Sequence, residues 1–310
     1  MTGNTPLVVI QGPTAVGKTG LAIDLAQVLN GEIISADSRQ IYRYMDIGTA
    51  KPTLNQQAQA PHHLIDVVDP DENLSLAQYQ RLTYAAITDI HQRGCLPLLV
   101  GGTGQYITAV IEGWSIPEVP PNTALRADLE AFAAEHGPQA LHDRLREADP
   151  AAAASIDYRN VRRVIRALEV FIESGQPISV LQQKQPPPYR IMQIGLTLER
   201  DALYQRADQR VDTMLDEGFL AEVRRLLDMG YNRKLPSMSG LGYAQLAAHL
   251  LDDLALAEAV AHTKTATHDF IRRQYTWFRG HDSGVHWHSA SEIHLPDMIA
   301  FLQQWLEEQA

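Results

Sequence analysis

The sequence has little of several features that define particular protein classes. It contains one cysteine, Cys95, so an intrachain disulfide is impossible and a thiolate-rich metal site is not expected. No apolar run approaches the ~20 residues of a membrane-spanning helix, and Met1–Pro6 lacks the basic start and apolar stretch of a signal peptide. Basic residues are in the minority, with 26 Lys and Arg against 37 Asp and Glu and a formal net charge of −11. We therefore expect a cytoplasmic protein without membrane association, and a nucleic-acid partner only if the positive charge is clustered.

The chain otherwise has the composition of a folded α/β protein. It has 310 residues, of which 45% are hydrophobic and 20% charged, a length that suits one large domain or two. Short apolar runs at Leu7–Ile10, Ile33–Ala36 and Leu96–Val100 alternate with stretches of helical periodicity. This alternation predicts a parallel sheet core flanked by helices.

Proline clusters mark the ends of a segment with a different pattern. Between Pro117–Pro121 and Pro186–Pro188 only helical periods occur. Strand character returns at Ile191–Leu196, and a last short strand is predicted at Val285–Trp287. We therefore predict a core formed by residues 1–116 and 189–310, with an inserted all-helical domain at 117–188.

A glycine-rich segment between the first strand and the first helix has the pattern of a phosphate-binding loop. Its glycines let successive backbone N–H groups point at an anion, and the helix N-terminus adds partial positive charge. Lys18 supplies a full charge, and the Thr19 hydroxyl can ligate Mg²⁺. The predicted phosphate-binding residues are Gly12, Pro13, Thr14, Ala15, Val16, Gly17, Lys18 and Thr19.

Asp37 follows the second strand, at the edge of the sheet where α/β proteins bind ligands. From this position its carboxylate suits a magnesium ligand, a general base or a helix cap. The strand Leu96–Val100 ends in Gly101-Gly102-Thr103 and carries no acid, which disfavours a standard nucleotide triphosphatase. Thr103 is predicted to have its hydroxyl free for a polar contact.

The positive charge is clustered in two stripes. Arg159, Arg162, Arg163 and Arg166 share one helix face. A second stripe on a longer predicted helix comprises Lys264, His268, Arg272, Tyr275 and Arg279. Each stripe alone is typical of a solvated face, but two in an acidic protein, one with aromatics, favour a nucleic acid whose bases can stack.

The motifs GPTAVGKT, DSRQIY, MDIGTAKP, PHHLID, LLVGGTGQY, RALEV, GYAQL and RRQYTWFR occur in this order. Together they resemble the bacterial tRNA dimethylallyltransferase family, over Gly12 to about Arg279. The resemblance implies a P-loop NTPase-like core and transfer of a dimethylallyl group from its diphosphate to the exocyclic amine of the adenosine 3′ to the anticodon. It also implies Mg²⁺ as cofactor, held at Thr19, and a monomer.

The resemblance implies site residues as well. Lys18, Thr19, Asp37 and Thr103 are expected at the catalytic centre, with Asp37 as general base. Contacts to the tRNA anticodon arm are expected from Asp37, Ser38, Arg39, Gln40, Thr103, Arg126, Arg162, Arg163, Val164, Ile165, Arg166, Arg272, Arg273, Gln274, Tyr275, Thr276, Trp277, Phe278 and Arg279.

Three other functions fit part of the pattern. They are prenylation of a free adenine nucleotide, a small-molecule P-loop kinase, and a non-enzymatic RNA-binding module. The helical insertion with its arginines favours tRNA over a mononucleotide, and the missing acid after Leu96–Val100 disfavours the kinase.

Overall fold

A computed structural model describes residues 5–308 of the chain. The prediction that Met1–Pro6 is not a signal peptide concerns a segment of which residues 1–4 lie outside the described range. The strands are β1 Thr5–Gln11, β2 Gly31–Ala36, β3 His62–His63, β4 Leu96–Gly101, β5 Tyr189–Thr197 and β6 Val285–Ser289. The helices are α1 Lys18–Val28, α2 Leu54–Gln59, α3 Leu76–Gln92, α4 Gly104–Ile111, α5 Thr123–His136, α6 Pro138–Ala148, α7 Pro150–Ser155, α8 Val161–Ser174, α9 Ile178–Leu181, α10 Arg200–Asp216, α11 Phe219–Asp228, α12 Tyr243–Leu251, α13 Leu256–Arg279 and α14 Leu295–Glu307.

The six strands form one parallel sheet in the order β3-β2-β4-β1-β5-β6. Alternate residues of β1 enter different hydrophobic clusters: Val8 and Ile10 pack on one face, Leu7 and Val9 on the other. Burial on both faces explains why the strands read as continuous apolar runs. The sheet and its flanking helices confirm the predicted P-loop NTPase-like class.

The order of the strands places the functional loops together. β1 lies between β4 and β5, and β2 lies on the other side of β4. In a parallel sheet the segments that follow β1, β2 and β4 therefore leave from one edge. The phosphate loop, Asp37 and Gly101–Thr103 are these segments.

The chain divides into two compact units. One comprises the chain up to Ile111 and from Pro188 onward, and the other comprises Glu112–Pro187. The second unit starts before the predicted Pro117 because its ends are joined: Gln185 N donates to Gly113 O at 2.9 Å, and Trp114 forms a β-bridge with Lys184. Its helices α5–α9 enclose their own apolar core.

One strand was not predicted. His62 and His63 form an edge strand that pairs with Ile33 and Ile34 of β2. His63 Nε2 lies 2.6 Å from Glu32 Oε2, and the hydrogen bonds of Glu32 to Arg93 and His63 hold its pKa at about 2 despite partial burial. A two-residue polar strand has no apolar run by which the sequence could reveal it.

Candidate active site

The phosphate loop has a backbone that its residue types make possible. Gly12 has a φ of +150°, and a Cβ there would lie 2.5 Å from Leu196 O, so only glycine fits beside β5. Ala15 also has a positive φ, 63°, a strained state that is common in binding loops. Gly17 caps α1 without a side chain, which leaves the first-turn N–H groups open to an anion.

Lys18 lies beneath this loop. Its Nζ donates to Gly12 O at 3.0 Å and to Pro13 O at 2.7 Å. Burial lowers the pKa of Lys18 to about 7, the Asp37 carboxylate opposes the shift, and Arg210 adds to it. The ammonium group is therefore held on backbone carbonyls, beside one carboxylate and one guanidinium.

Asp37 is fixed at the end of β2 by its own turn. Its Oδ1 accepts a hydrogen bond from Arg39 N at 2.8 Å, as in an Asx-turn. Ser38 N donates to Thr103 Oγ1 at 3.0 Å, and Thr103 N donates to Ala36 O at 3.1 Å. The sequence suggested that the Thr103 hydroxyl is free for a polar contact. In the structure this hydroxyl accepts the Ser38 N–H and so connects the turns after β2 and β4.

A cavity of about 300 Å³ opens onto these groups. Lys18, Thr19 and Asp37 line it together, as do Arg206 and Arg210 of α10. Within residues 5–308 neither arginine forms an ion pair within 4 Å. Burial lowers the pKa of Arg210, and the Asp37 carboxylate opposes this. Two guanidinium groups without ion pairs share the lining of this cavity with a phosphate loop, an arrangement suited to bind an anion.

Arg206 and Arg210 were not among the predicted site residues. The signal available in the sequence was their spacing of four residues on a helix whose Leu203, Ala207 and Val211 are apolar. These three residues are buried, so the arginines lie next to the packed face rather than opposite it.

Gln274 connects the two motifs that flank the cavity. Its Oε1 accepts from Thr14 N at 2.9 Å, and its Nε2 donates to Gly102 O at 2.9 Å. A Cβ at Gly102 would lie 2.5 Å from Gln274 Nε2, and one at Gly104 would lie 2.1 Å from the Trp277 ring. The glycines of GGTG are therefore needed so that α13 can approach the end of β4.

The segment Arg272–Arg279 divides into buried and exposed residues. Gln274 and Phe278 are buried, and Gln274 lines the cavity, so their contact with tRNA stays a prediction. Trp277 Nε1 donates to Thr108 Oγ1 at 3.2 Å, and the Tyr275 hydroxyl lies 3.0 Å from Thr197 Oγ1. The exposed residues are Arg272, Arg273, Thr276 and Arg279.

The second basic stripe does not form an open face. Lys264 pairs with Asp212 at 2.7 Å, and His268 Nε2 lies 2.8 Å from Asp208 Oδ1. Arg272 contacts Asp269. Lys264 and His268 thus face α10 and pair with its acidic residues, whereas Arg272 and Arg279 of the same stripe are exposed.

In the helical unit, two predicted tRNA-binding arginines hold a buried carboxylate. Arg126 Nε donates to Glu169 Oε1 at 2.8 Å, and Arg166 Nη1 donates to Glu169 Oε2 at 2.6 Å. Burial raises the pKa of Glu169, but the hydrogen bonds from the two arginines outweigh it and hold the pKa at about 2. Arg126 and Arg166 therefore also stabilise the unit.

The remaining residues of α8 differ in exposure. Val164 and Ile165 are buried in the core of the unit, where their side chains pack with other apolar residues, and their predicted contact with tRNA is untested. Arg159 pairs with Asp157. Arg162 and Arg163 are exposed, and among the described residues their guanidinium groups have no ion-pair partner.

Arg39 and Gln40 brace the site. Arg39 Nη1 donates to Pro236 O at 2.7 Å. Gln40 accepts from Ser35 Oγ at 2.9 Å and donates to Ala50 O at 3.1 Å. Both side chains therefore have partners within the fold, whereas one oxygen of Asp37 has none among the described hydrogen bonds.

The described residues hold no group of three or more His, Cys, Asp or Glu arranged to bind a metal. None of the described helices has the length and apolarity needed to cross a bilayer.

Comparison with known proteins gives concordant matches. Residues 40–281 match the family model for IPP transferase. The chain is 59% identical over 274 residues to tRNA dimethylallyltransferase of Roseiflexus sp. (strain RS-1), covering 88% of this chain and 90% of the relative. It is 46% identical over 303 residues to that of Dehalococcoides mccartyi, covering 98% and 93%.

Solved structures agree with these matches. The full-length tRNA isopentenylpyrophosphate transferase of Bacillus halodurans superposes with a TM-score of 0.73 and 44% identity, covering 98% of this chain and 97% of that one. A eukaryotic dimethylallyltransferase acting on tRNA superposes with a TM-score of 0.78 and 27% identity, covering 98% and 76%.

Proposed function

The chain belongs to the IPP transferase family, and we propose that it transfers a dimethylallyl group from dimethylallyl diphosphate to the exocyclic amine of the adenosine 3′ to the anticodon in tRNA. The enzyme is a prenyltransferase, as its relatives are. The observation that carries the proposal is one cavity lined by both an anion-binding loop and the Asp37 carboxylate. An allylic diphosphate and a nucleophilic amine can meet there.

The diphosphate binds between the loop and α10 in this proposal. The loop N–H groups and the N-terminus of α1 hold one side, and Arg206 and Arg210 hold the other. Lys18 turns from the carbonyls of Gly12 and Pro13 to the diphosphate oxygens, which restores its ordinary protonation.

The residues present fit Mg²⁺ bound through substrate. The Thr19 hydroxyl lines the same cavity as the loop, and Mg²⁺ prefers oxygen ligands, including phosphate oxygens and water. We propose that Thr19 and the diphosphate hold the ion. When bound, it neutralises charge on the leaving diphosphate.

The transfer exchanges one bond for another. The bond between the allylic carbon and the diphosphate oxygen breaks, and the diphosphate leaves with the electron pair. The amine nitrogen donates its lone pair to that carbon and loses a proton, which the Asp37 carboxylate accepts. Lys18, Arg206 and Arg210 stabilise the charge that develops on the diphosphate.

The target base must leave its stack to reach the cavity. We propose that Arg162 and Arg163 of α8 bind backbone phosphates, with Arg272, Arg273 and Arg279 as further contacts, since these side chains are exposed. We also propose that the active form is a monomer, as the resemblance implies. We also propose a cytoplasmic location, because the proposed tRNA substrate is found there.

Three alternatives are less compatible with the structure. A kinase would be expected to carry an acid after β4, where Gly102 and Thr103 lie instead. If the acceptor were a free nucleotide, the exposed arginines of α8 would have no role. If the protein only bound RNA, Lys18 at the phosphate loop would have no role.

The test is an assay with dimethylallyl diphosphate, Mg²⁺ and either a tRNA with adenosine 3′ to the anticodon or AMP. Mass spectrometry of digested nucleosides should show prenyl-adenosine from tRNA only. A Lys18→Ala variant should form none yet bind tRNA as the wild type does. Product from AMP alone, or turnover of ATP without prenylation, contradicts the proposal.

A further inference from the structure

A second, smaller cavity of about 60 Å³ adjoins the first. The two share Thr14, Ala15, Thr49 and Arg210 in their linings. Away from these residues the smaller cavity is apolar, lined by Ala207, Val211, Met214, Phe219 and Leu241. We refer to it as the side chamber.

Two buried threonines complete the lining without making it polar. Thr263 Oγ1 donates to Ala259 O at 2.8 Å, and Thr267 Oγ1 donates to Thr263 O at 2.8 Å. Both hydroxyls are thus satisfied within α13. The chamber therefore suits a hydrocarbon group, with the guanidinium of Arg210 at the side it shares with the anion site.

The wall at Phe219 is held rigidly. A Cβ at Gly48 would lie 2.1 Å from the Phe219 ring, and the Tyr243 ring packs edge-on with centroids 4.9 Å apart. Buried Glu222 accepts backbone N–H groups from Asp46, Ile47 and Gly48 at 3.0, 2.9 and 3.2 Å, and the Tyr243 hydroxyl at 2.6 Å. This wall cannot move away without breaking four hydrogen bonds to one carboxylate.

We propose that the side chamber receives the prenyl tail and limits it to five carbons. This inference rests on the proposed function, which places the diphosphate beside the chamber. At about 60 Å³ the chamber is one fifth the size of the adjoining cavity of about 300 Å³, so a short hydrocarbon group suits it. A dimethylallyl group has five carbons, and a geranyl group has ten.

Met214 lies between the chamber and a second cavity. It lines the chamber and also this neighbouring cavity of about 530 Å³, as do Ala50 and Arg210. We expect that shortening the Met214 side chain widens the connection between the two spaces enough for a second isoprene unit. A longer tail is then transferred with the same bond changes, since its allylic carbon and diphosphate are identical to those of the shorter donor.

The experiment compares dimethylallyl and geranyl diphosphate as donors to tRNA for the wild type and Met214→Ala. Wild type should use only the shorter donor efficiently, and Met214→Ala should raise the geranyl-to-dimethylallyl ratio of kcat/KM at least tenfold. The matched control is Met229→Ala, because Met229 is exposed at the end of α11 and should leave the ratio unchanged. An unchanged ratio in Met214→Ala, or equal use of both donors by wild type, overturns the inference.

A second variant fills the chamber instead. Ala207→Val should raise KM for dimethylallyl diphosphate at least fivefold while inhibition by inorganic pyrophosphate stays as in wild type. A parallel rise in the pyrophosphate inhibition constant would show that Ala207 acts on the anion site, and contradicts the inference. Absence of any prenyl transfer by wild type, by contrast, overturns the proposed function itself.

Discussion

The side-chain oxygen of Gln274 accepts a hydrogen bond of 2.9 Å from the backbone N–H of Thr14, although 260 residues separate them in the chain. The same side chain donates to Gly102 O. One buried amide therefore holds the phosphate loop against the end of β4.

Gln274→Leu should loosen this connection. It leaves Thr14 N and Gly102 O without their partner, and each buried polar group left unpaired costs about 1–3 kcal/mol. We expect a higher KM for dimethylallyl diphosphate and a kcat lower by roughly tenfold or more in steady-state assays. Gln303→Leu, an exposed glutamine of α14, is the matched control. Equal kinetics for both variants would contradict the role given to Gln274.

Arg210→Gln should weaken the anion site. Removing a charged donor commonly costs about 1.5–3 kcal/mol, which is roughly a tenfold to hundredfold change in affinity. The inhibition constant of inorganic pyrophosphate should rise by that factor, while tRNA affinity stays constant. A loss of tRNA binding without a change in pyrophosphate inhibition would show that Arg210 binds tRNA and not the diphosphate.

Asp37→Asn separates the roles left open by the sequence. Asn can still accept the hydrogen bond from Arg39 N, so the turn is kept while the base is lost. A positioned base contributes roughly 10²–10⁴-fold, so kcat should fall by two orders or more with little change in thermal stability. If the variant loses Mg²⁺ or diphosphate affinity instead, Asp37 is a metal-site residue.

Lys18 should give the free enzyme a pH dependence. Its pKa is about 7, and the ammonium form binds diphosphate, so kcat/KM should fall as pH rises through 7. Bound diphosphate raises this pKa, so kcat should persist to higher pH. Identical profiles for kcat and kcat/KM would contradict the assignment.

The same lysine affects stability. The pKa is lower in the folded chain than in the unfolded one, so the unfolded chain binds more protons between about pH 7 and 10 and stability rises with pH there. The loss of stability caused by burying the charged Lys18 is fully present below pH 7. Lys18→Met should therefore raise the melting temperature at pH 6 by about 2 °C or more, with a smaller gain near pH 10. Calorimetry at both pH values checks this.

The arginines of the helical unit should separate by function. Changing Arg162 and Arg163 to Gln should flatten the log–log salt dependence of tRNA binding by about 0.7–0.9 per residue, with no loss of stability. Arg126→Gln should instead lower the unfolding free energy by about 1.5–3 kcal/mol, because Glu169 loses a charged partner. An unaltered salt slope in the double variant would show that Arg162 and Arg163 are solvated surface residues that do not contact tRNA phosphates.

The local parts of the fold could be predicted from the sequence. The buried strands, the phosphate loop and the position of Asp37 each depend on a few consecutive residues. Which element packs against a given helix face depends instead on residues far away in the chain. Arg206 and Arg210 resemble solvated residues until α10 is placed over the loop, and the pairing of Lys264 with Asp212 is a contact between distant helices.

Gln274 illustrates the same limit more sharply. Its spacing to Ile271 and Phe278 puts it on the apolar, buried face of α13, which is a signal that the sequence contains. Its place in a basic and aromatic motif suggested a nucleic-acid contact instead. A polar residue on an apolar face has a partner inside the fold more often than outside it, because an unpaired buried amide is costly.

The hydrogen bond from Gln185 N to Gly113 O bears on how the helical unit could have been inserted into the core during evolution. The helical unit leaves and rejoins the core at what is nearly one point, so the path of the sheet is the same with or without it. Segments attached in this way can be gained, exchanged or reshaped in a single genetic event without disturbing the host fold. Under the proposed function, the helical unit that would contact tRNA and the core that would carry the prenyl transfer can thus evolve at different rates within one gene.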